Sequence, residues 1–202
     1  LHKAIAISPL KPGESRTVDI PVEKSFIRNT RWLLKFNDFE SKYFQIYSIN
    51  YSDKAPVVDG KLDEWLNLRS MNIGQHNQVT RGKEGWSTAN ASFQTWYWFT
   101  KDTIYFAAKV FDNEPMFNNF KPVDLWRGDC FELYLGFCGP TKRTSLNKSC
   151  EFQIAVAPTC NENRPIVFQW HVDKEITGAQ IISKKTENGY IIEAGIPIKA
   201  LG

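Results

Sequence analysis

In the segment LWRGDCFELYLGF, Trp126 lies six residues before Glu132. An indole near a carboxylate can hold a sugar. The ring packs on the apolar C–H face of a pyranose, and the carboxylate accepts hydrogen bonds from its hydroxyls. If CFELYLGF is extended, Cys130, Glu132 and Tyr134 share one face, while Phe131, Leu133 and Leu135 share the other. The second set is wholly apolar and reads as core. Glu132 is then on the more exposed face, with Trp126 in the loop just before it. On pattern alone, a surface Trp beside a solvated Glu is the simpler account, because scattered exposed aromatics are common.

Other groupings do less. Asp129 and Glu132 are both carboxylates, as glycoside hydrolysis requires. Residues three apart on a strand point to opposite faces, so the two cannot flank one substrate. In SFQTWYWF, Trp96 and Trp98 share a face opposite Tyr97 and Phe99. That pair is either a second aromatic platform or, more simply, packed against the preceding segment or a partner sheet. His2, His76 and His171 are scattered, with no carboxylate or Cys at ligand spacing. No Ser-His-Asp set, phosphate-binding loop or dinucleotide fingerprint is present. No catalytic residue is assigned and the chain reads as a non-enzyme.

The four cysteines, Cys130, Cys138, Cys150 and Cys160, lack the short C-x-x-C spacing of zinc or redox sites. Cys130 is expected to be buried and reduced inside a strand. Any disulfide is expected among Cys138, Cys150 and Cys160. The 25 basic and 22 acidic residues are interspersed, giving a net charge of +3 and no basic stripe, which argues against nucleic acid as a partner. No apolar run approaches the roughly 20 residues of a membrane span. The opening LHKAIAISPL has the look of a mature or excised product.

Strands must position these residues. SRTVDIPV alternates Val18, Ile20 and Val22, and RWLLKF and YFQIYSINY follow. SDKAPVVDG, with Pro56 and Gly60, breaks the pattern, and a domain boundary is placed near residue 50. KLDEWLNL is long enough for one helical turn. SFQTWYWF, TIYFAAKVF, CFELYLGF, CEFQIAVA, PIVFQWHV, AQIISKK and GYIIEAGIP then read as strands, with turns at 100–103 and 186–189. Closely spaced strands without helices between them indicate an all-β, antiparallel β-sandwich.

Four blocks, taken in order, resemble the family 9 carbohydrate-binding modules over residues 51–202: APVVDGKLDEW, TIYFAAKVFDNEP, LWRGDCFELYL and NGYIIEAGIPIKAL. The resemblance implies a non-catalytic module that binds an oligosaccharide or polysaccharide. It would sit beside neighbouring domains of a larger secreted, extracellular protein such as a glycoside hydrolase. By position it implies that Trp126 stacks on the sugar and Glu132 bonds its hydroxyls. Gln153 stands where family members usually place an Arg. Gln donates and accepts but lacks the guanidinium's charge and fixed fork. The family pattern also has closing strands and a second stacking Trp further along than Leu201 and Gly202. The alternative is a structural or protein-interaction sandwich that has lost sugar binding. No cofactor is required by the residues themselves. The resemblance adds a structural calcium, with Asp59, Asp63 and Asp112 as candidate ligands. Residues 1–50 resemble the late strands of an Ig- or fibronectin-like domain.

Overall fold

The computed structural model describes residues 11, 13–14, 31–36, 39–45, 50–79, 84–137 and 150–201. The chain forms two compact units, Leu1–Ser48 and Ile49–Gly202. In the first, β1 (Arg31–Phe36) pairs antiparallel with β2 (Phe39–Gln45), Trp32 opposite Phe44. The expected strand SRTVDIPV lies outside the described residues.

The second unit is all β, built of two sheets. The larger holds β3 (Asn50–Tyr51), β4 (Met71–Ile73), β5 (Ser92–Phe99), β6 (Thr103–Phe111), β11 (Gln180–Thr186) and β12 (Gly189–Pro197), in the order β11-β12-β6-β5-β3, with β4 also on β5. The smaller runs β10-β9-β8-β7, from β7 (Phe131–Gly136), β8 (Glu151–Ala157), β9 (Ile166–Gln169) and β10 (Lys174–Glu175). All pairings between described strands are antiparallel except β3 with β5, which is parallel. YFQIYSINY is thus not one strand: its start belongs to β2 and its end to β3. PIVFQWHV leaves the sheet after Gln169, and Trp170–Val172 form a 3-10 turn. KLDEWLNL makes tight turns closed by Trp65 N–H and Leu66 N–H to the Leu62 carbonyl.

Alternation fills the space between the sheets. Ile104, Phe106, Ala108 and Val110 of β6 and Tyr190, Ile192, Ala194 and Ile196 of β12 share one core with Leu133, Phe152, Ile154, Val156 and Val167. Phe131 and Leu135 pack against its edge, so β7 faces inward with the side read as core.

The outer face of the larger sheet has a core of its own. Trp96 and Ala107 are covered by Leu62 and Trp65, with Trp98 packed alongside. The two Trp of SFQTWYWF are therefore structural, packed against the turn at 61–68 rather than the facing sheet. Trp65 and Trp98 meet edge to face at 6.0 Å. Glu193 of β12, wholly buried, anchors this turn. Its carboxylate accepts from Trp65 Nε1 at 2.6 Å and from the backbone N–H groups of Asp59 and Gly60. Gly60 is left-handed (φ 77°), and a side chain there would run into Lys184.

Glu193→Gln would turn an amide N–H toward these donors. It is expected to cost about 2–4 kcal/mol, as a buried charged acceptor is lost. Urea unfolding should show a lower midpoint at unchanged slope. Glu132→Gln, on the exposed face, should stay within about 0.5 kcal/mol of the parent.

Candidate functional site

The outward residues of the smaller sheet form two zones. Ala155 and Ala157 of β8 and Ile166 and Phe168 of β9 pack with Leu125 and Cys160 into a second small core. Leu125 comes from the 3-10 turn Pro122–Arg127, which opens on a proline suited to a first helical position. The two alanines leave room for Leu125 to reach the sheet. Glu132 lies directly opposite Ala155 in the ladder, so Leu125 fixes the turn on the face that carries Glu132. Trp126, next in the chain, is 57% exposed.

Asn118, fully buried, holds the turn in place. Its Nδ2 donates to the carbonyls of Leu125 at 2.9 Å and Asp129 at 3.1 Å, and its Oδ1 accepts from Phe120 N–H. At Gly128 a Cβ would come within 2.6 Å of the Phe117 carbonyl and 2.8 Å of Asn118 Cγ. Only glycine allows that approach. Arg127 lies over the Phe120 ring at 4.7 Å.

The second zone is polar. Tyr134 hydroxyl donates to Glu132 Oε2 at 3.0 Å, and Gln153 Nε2 donates to that oxygen at 3.1 Å and to the Tyr134 hydroxyl oxygen at 2.9 Å. Ladder geometry accounts for the trio: Tyr134 is directly across from Gln153, and Glu132 is two residues along the same face. Tyr134 is 62% exposed. Its hydroxyl pKa is raised, first by burial and then by the hydrogen bond to Glu132.

Glu132 and Gln153 thus stand together, and Trp126 is exposed on the turn pinned to the same sheet face. Sequence reasoning missed Tyr134 as a polar partner, Asn118 as the brace and Trp170. Trp170 is half-buried against the Leu125 cluster, with its Nε1 donating to the Val123 carbonyl at 3.1 Å. The available signal was parity: Phe168 and Trp170 are two apart in a segment whose Phe168 opposes Ala155.

Asp129 points elsewhere. Its Oδ2 accepts from Phe117 N–H at 2.9 Å, and the charge of nearby Asp112 acts on its carboxyl. Asp59 instead accepts from Lys61 N–H and lies 3.4 Å from Lys61 Nζ. Among the described residues no group of three or more His, Cys, Asp or Glu gathers, so Asp59, Asp63 and Asp112 are not brought together. Cys150 is disulfide-bonded, while Cys130 and Cys160 are free thiols; Cys138 lies outside the described residues. Cys130 is half-buried rather than buried, and its thiol is pushed up to about 12 by burial and then by Glu132. A separate open groove, lined by Pro56, Val57, Tyr105, Gln180 and Ile182 among others, lies against the larger sheet and has no carboxylate or basic group in its lining.

Residues 58–202 match the family described as carbohydrate family 9 binding domain-like. The chain belongs to this family. Its members are non-catalytic carbohydrate-binding modules. Two solved structures similar to this chain are of a family 9 carbohydrate-binding module from Caldicellulosiruptor kristjanssonii. The one in complex with cellotriose is 19% identical, with a TM-score of 0.50. The one in complex with glucose is 20% identical, with a TM-score of 0.49. Each alignment covers 74% of this chain and 67% of the other. No match was found among curated proteins. No helix among the described residues is long and apolar enough to cross a membrane.

The module's acidic pair gives a pH prediction. Asp129 is pushed up to about 6, first by burial and then by the Asp112 charge beside it. The folded form therefore binds this proton more tightly than the unfolded chain, whose Asp pKa is about 3.9. The stabilising contribution is complete below that value and is lost as pH rises through about 6. Thermal unfolding from pH 4 to pH 8 is expected to show a fall in midpoint across this window. Asp129→Asn, which keeps an oxygen for Phe117 N–H, should flatten it.

Proposed function

We propose that this module holds a polysaccharide end or short oligosaccharide on the outer face of its smaller sheet. The observation that carries the reading is the joined trio Glu132, Tyr134 and Gln153, on the same face as a turn that leaves Trp126 exposed. Trp126 supplies flat apolar area for a pyranose, and Glu132 supplies an anionic acceptor for hydroxyls. Trp170, half-exposed beside the same small core, is the candidate second ring. The affinity is modest, because a sugar offers few apolar contacts and many hydroxyls to desolvate.

The same reading places the module in a larger secreted polypeptide, serving a catalytic domain such as a glycoside hydrolase by keeping substrate close. The disulfide at Cys150 supports an oxidising compartment, where such bonds persist.

Cellotriose is the probe of choice, because a solved family 9 module holds it. Titration should quench tryptophan fluorescence of the native protein. Trp126→Ala should abolish the response while leaving the circular dichroism unchanged, and Glu132→Ala should weaken binding by about 1–3 kcal/mol. If Trp126→Ala binds as well as the parent, the sugar site is wrong and a protein-interaction sandwich takes its place.

A further inference from the structure

The hydrogen-bond valences of the polar trio are unevenly spent. Gln153 Nε2 carries two hydrogens, and both are used, one on Glu132 Oε2 and one on the Tyr134 hydroxyl oxygen. The single Tyr134 hydrogen goes to Glu132 Oε2. The Gln153 amide is not free to turn over, because the opposite orientation would set its oxygen against the Glu132 carboxylate. No donor in the trio is left to offer. Glu132 Oε1 and Gln153 Oε1, by contrast, have no described partner, so the open positions are all acceptors.

The charge of the trio points the same way. Its one formal charge is the Glu132 carboxylate, and both of its described hydrogen-bond partners are neutral. Arg127, the basic residue beside Trp126, lies over the Phe120 ring. An Arg at position 153 would bring five donors and a positive charge; Gln153 brings neither surplus.

We infer that the trio is an acceptor-only recognition site, which selects sugars whose groups donate hydrogen bonds and excludes acidic sugars. Neutral hexoses meet it with hydroxyl hydrogens, and a protonated amino sugar meets it with N–H donors and opposite charge. A uronate brings a carboxylate that can only accept. It would face Glu132 with no free donor of the trio between them, and like charges placed together oppose binding. This inference rests on the sugar-binding reading and names the substrate class of that same site.

Three β-1,4-linked trimers that differ mainly in charge test it: cellotriose, a glucuronate trimer and a glucosamine trimer. Each is titrated calorimetrically against the native protein, Trp126→Ala and Gln153→Arg, at low salt and about pH 6, below the ordinary range of amine pKa values. The native protein should bind the glucuronate trimer at least tenfold more weakly than cellotriose, and the glucosamine trimer more tightly than cellotriose. Gln153→Arg should narrow or reverse the gap between the glucuronate and glucosamine trimers by tenfold or more. Raising the salt concentration should shrink the preferences of the native protein. Equal affinity for all three trimers, abolished by Trp126→Ala, would overturn the acceptor-only site and leave sugar binding standing. An unchanged ratio in Gln153→Arg would overturn it as well. Binding of none of the three by native protein would overturn both readings.

Discussion

Glu193 sits in the middle of β12 with no solvent contact, and its carboxylate gathers three donors from a stretch of chain more than 120 residues earlier. A buried carboxylate is costly unless its oxygens are satisfied. Burial does raise its pKa, against the lowering effect of Gly60, Trp65 and Asp59. That cost fixes the turn at Asp59–Leu68, because only there can two successive backbone N–H groups and an indole N–H converge on one acid. The turn in turn buries Trp65 on Trp96 and Ala107, closing the outer face of the larger sheet. With that face sealed, β5, β6 and β12 are free to commit their other faces to the main core.

The smaller sheet solves a related problem differently. Its outer face is divided between a sealed apolar half and an open polar half. Leu125 packs with Ala155, Ala157 and Phe168, and Asn118 ties the Leu125 carbonyl of the 3-10 turn to the Asp129 carbonyl that follows it. The remaining half carries Glu132, Tyr134 and Gln153. Trp126 is exposed because its neighbour is buried: a turn pinned by one residue presents the next to solvent. Rigid backing of this kind lets an exposed ring offer flat area without losing much conformational freedom on binding.

Much of this was legible in the chain. Period-two alternation gave β5, β6, β7, β8, β11 and β12 nearly to the residue, since each has one face in a core. It also separated Glu132 from Leu133. What alternation could not supply was the covering of outward faces. Trp96 and Trp98 look alike in sequence whether they meet solvent or the turn at 61–68. The parallel pairing of β3 with β5 joins two residues from a linker-like stretch, too short to have a period. PIVFQWHV is uniformly suited to a strand and so places Trp170 in one; the 3-10 turn after Gln169 ends at Asp173, which is left-handed. Asn118 had no local signal at all. Its role depends on Leu125 and Asp129 carbonyls brought to it by the fold.

On the proposed reading, having Gln153 rather than an Arg at this point decides what kind of site the sheet presents. A site with surplus donors can grip any oxygen and discriminates poorly among sugars, all of which are rich in acceptors. A site whose donors are consumed internally asks the ligand to provide every hydrogen. Water provides them too, so each hydroxyl bond made to Glu132 or Gln153 replaces one to solvent and keeps only a fraction of its gross strength. In the proposed site, affinity would come mainly from the apolar area of Trp126, while the trio would govern which chemical groups are tolerated above it. Stacking and selection are thereby assigned to separate elements, the 3-10 turn and the β7–β8 ladder. Leu125 against Ala155 is the contact that keeps the two in register.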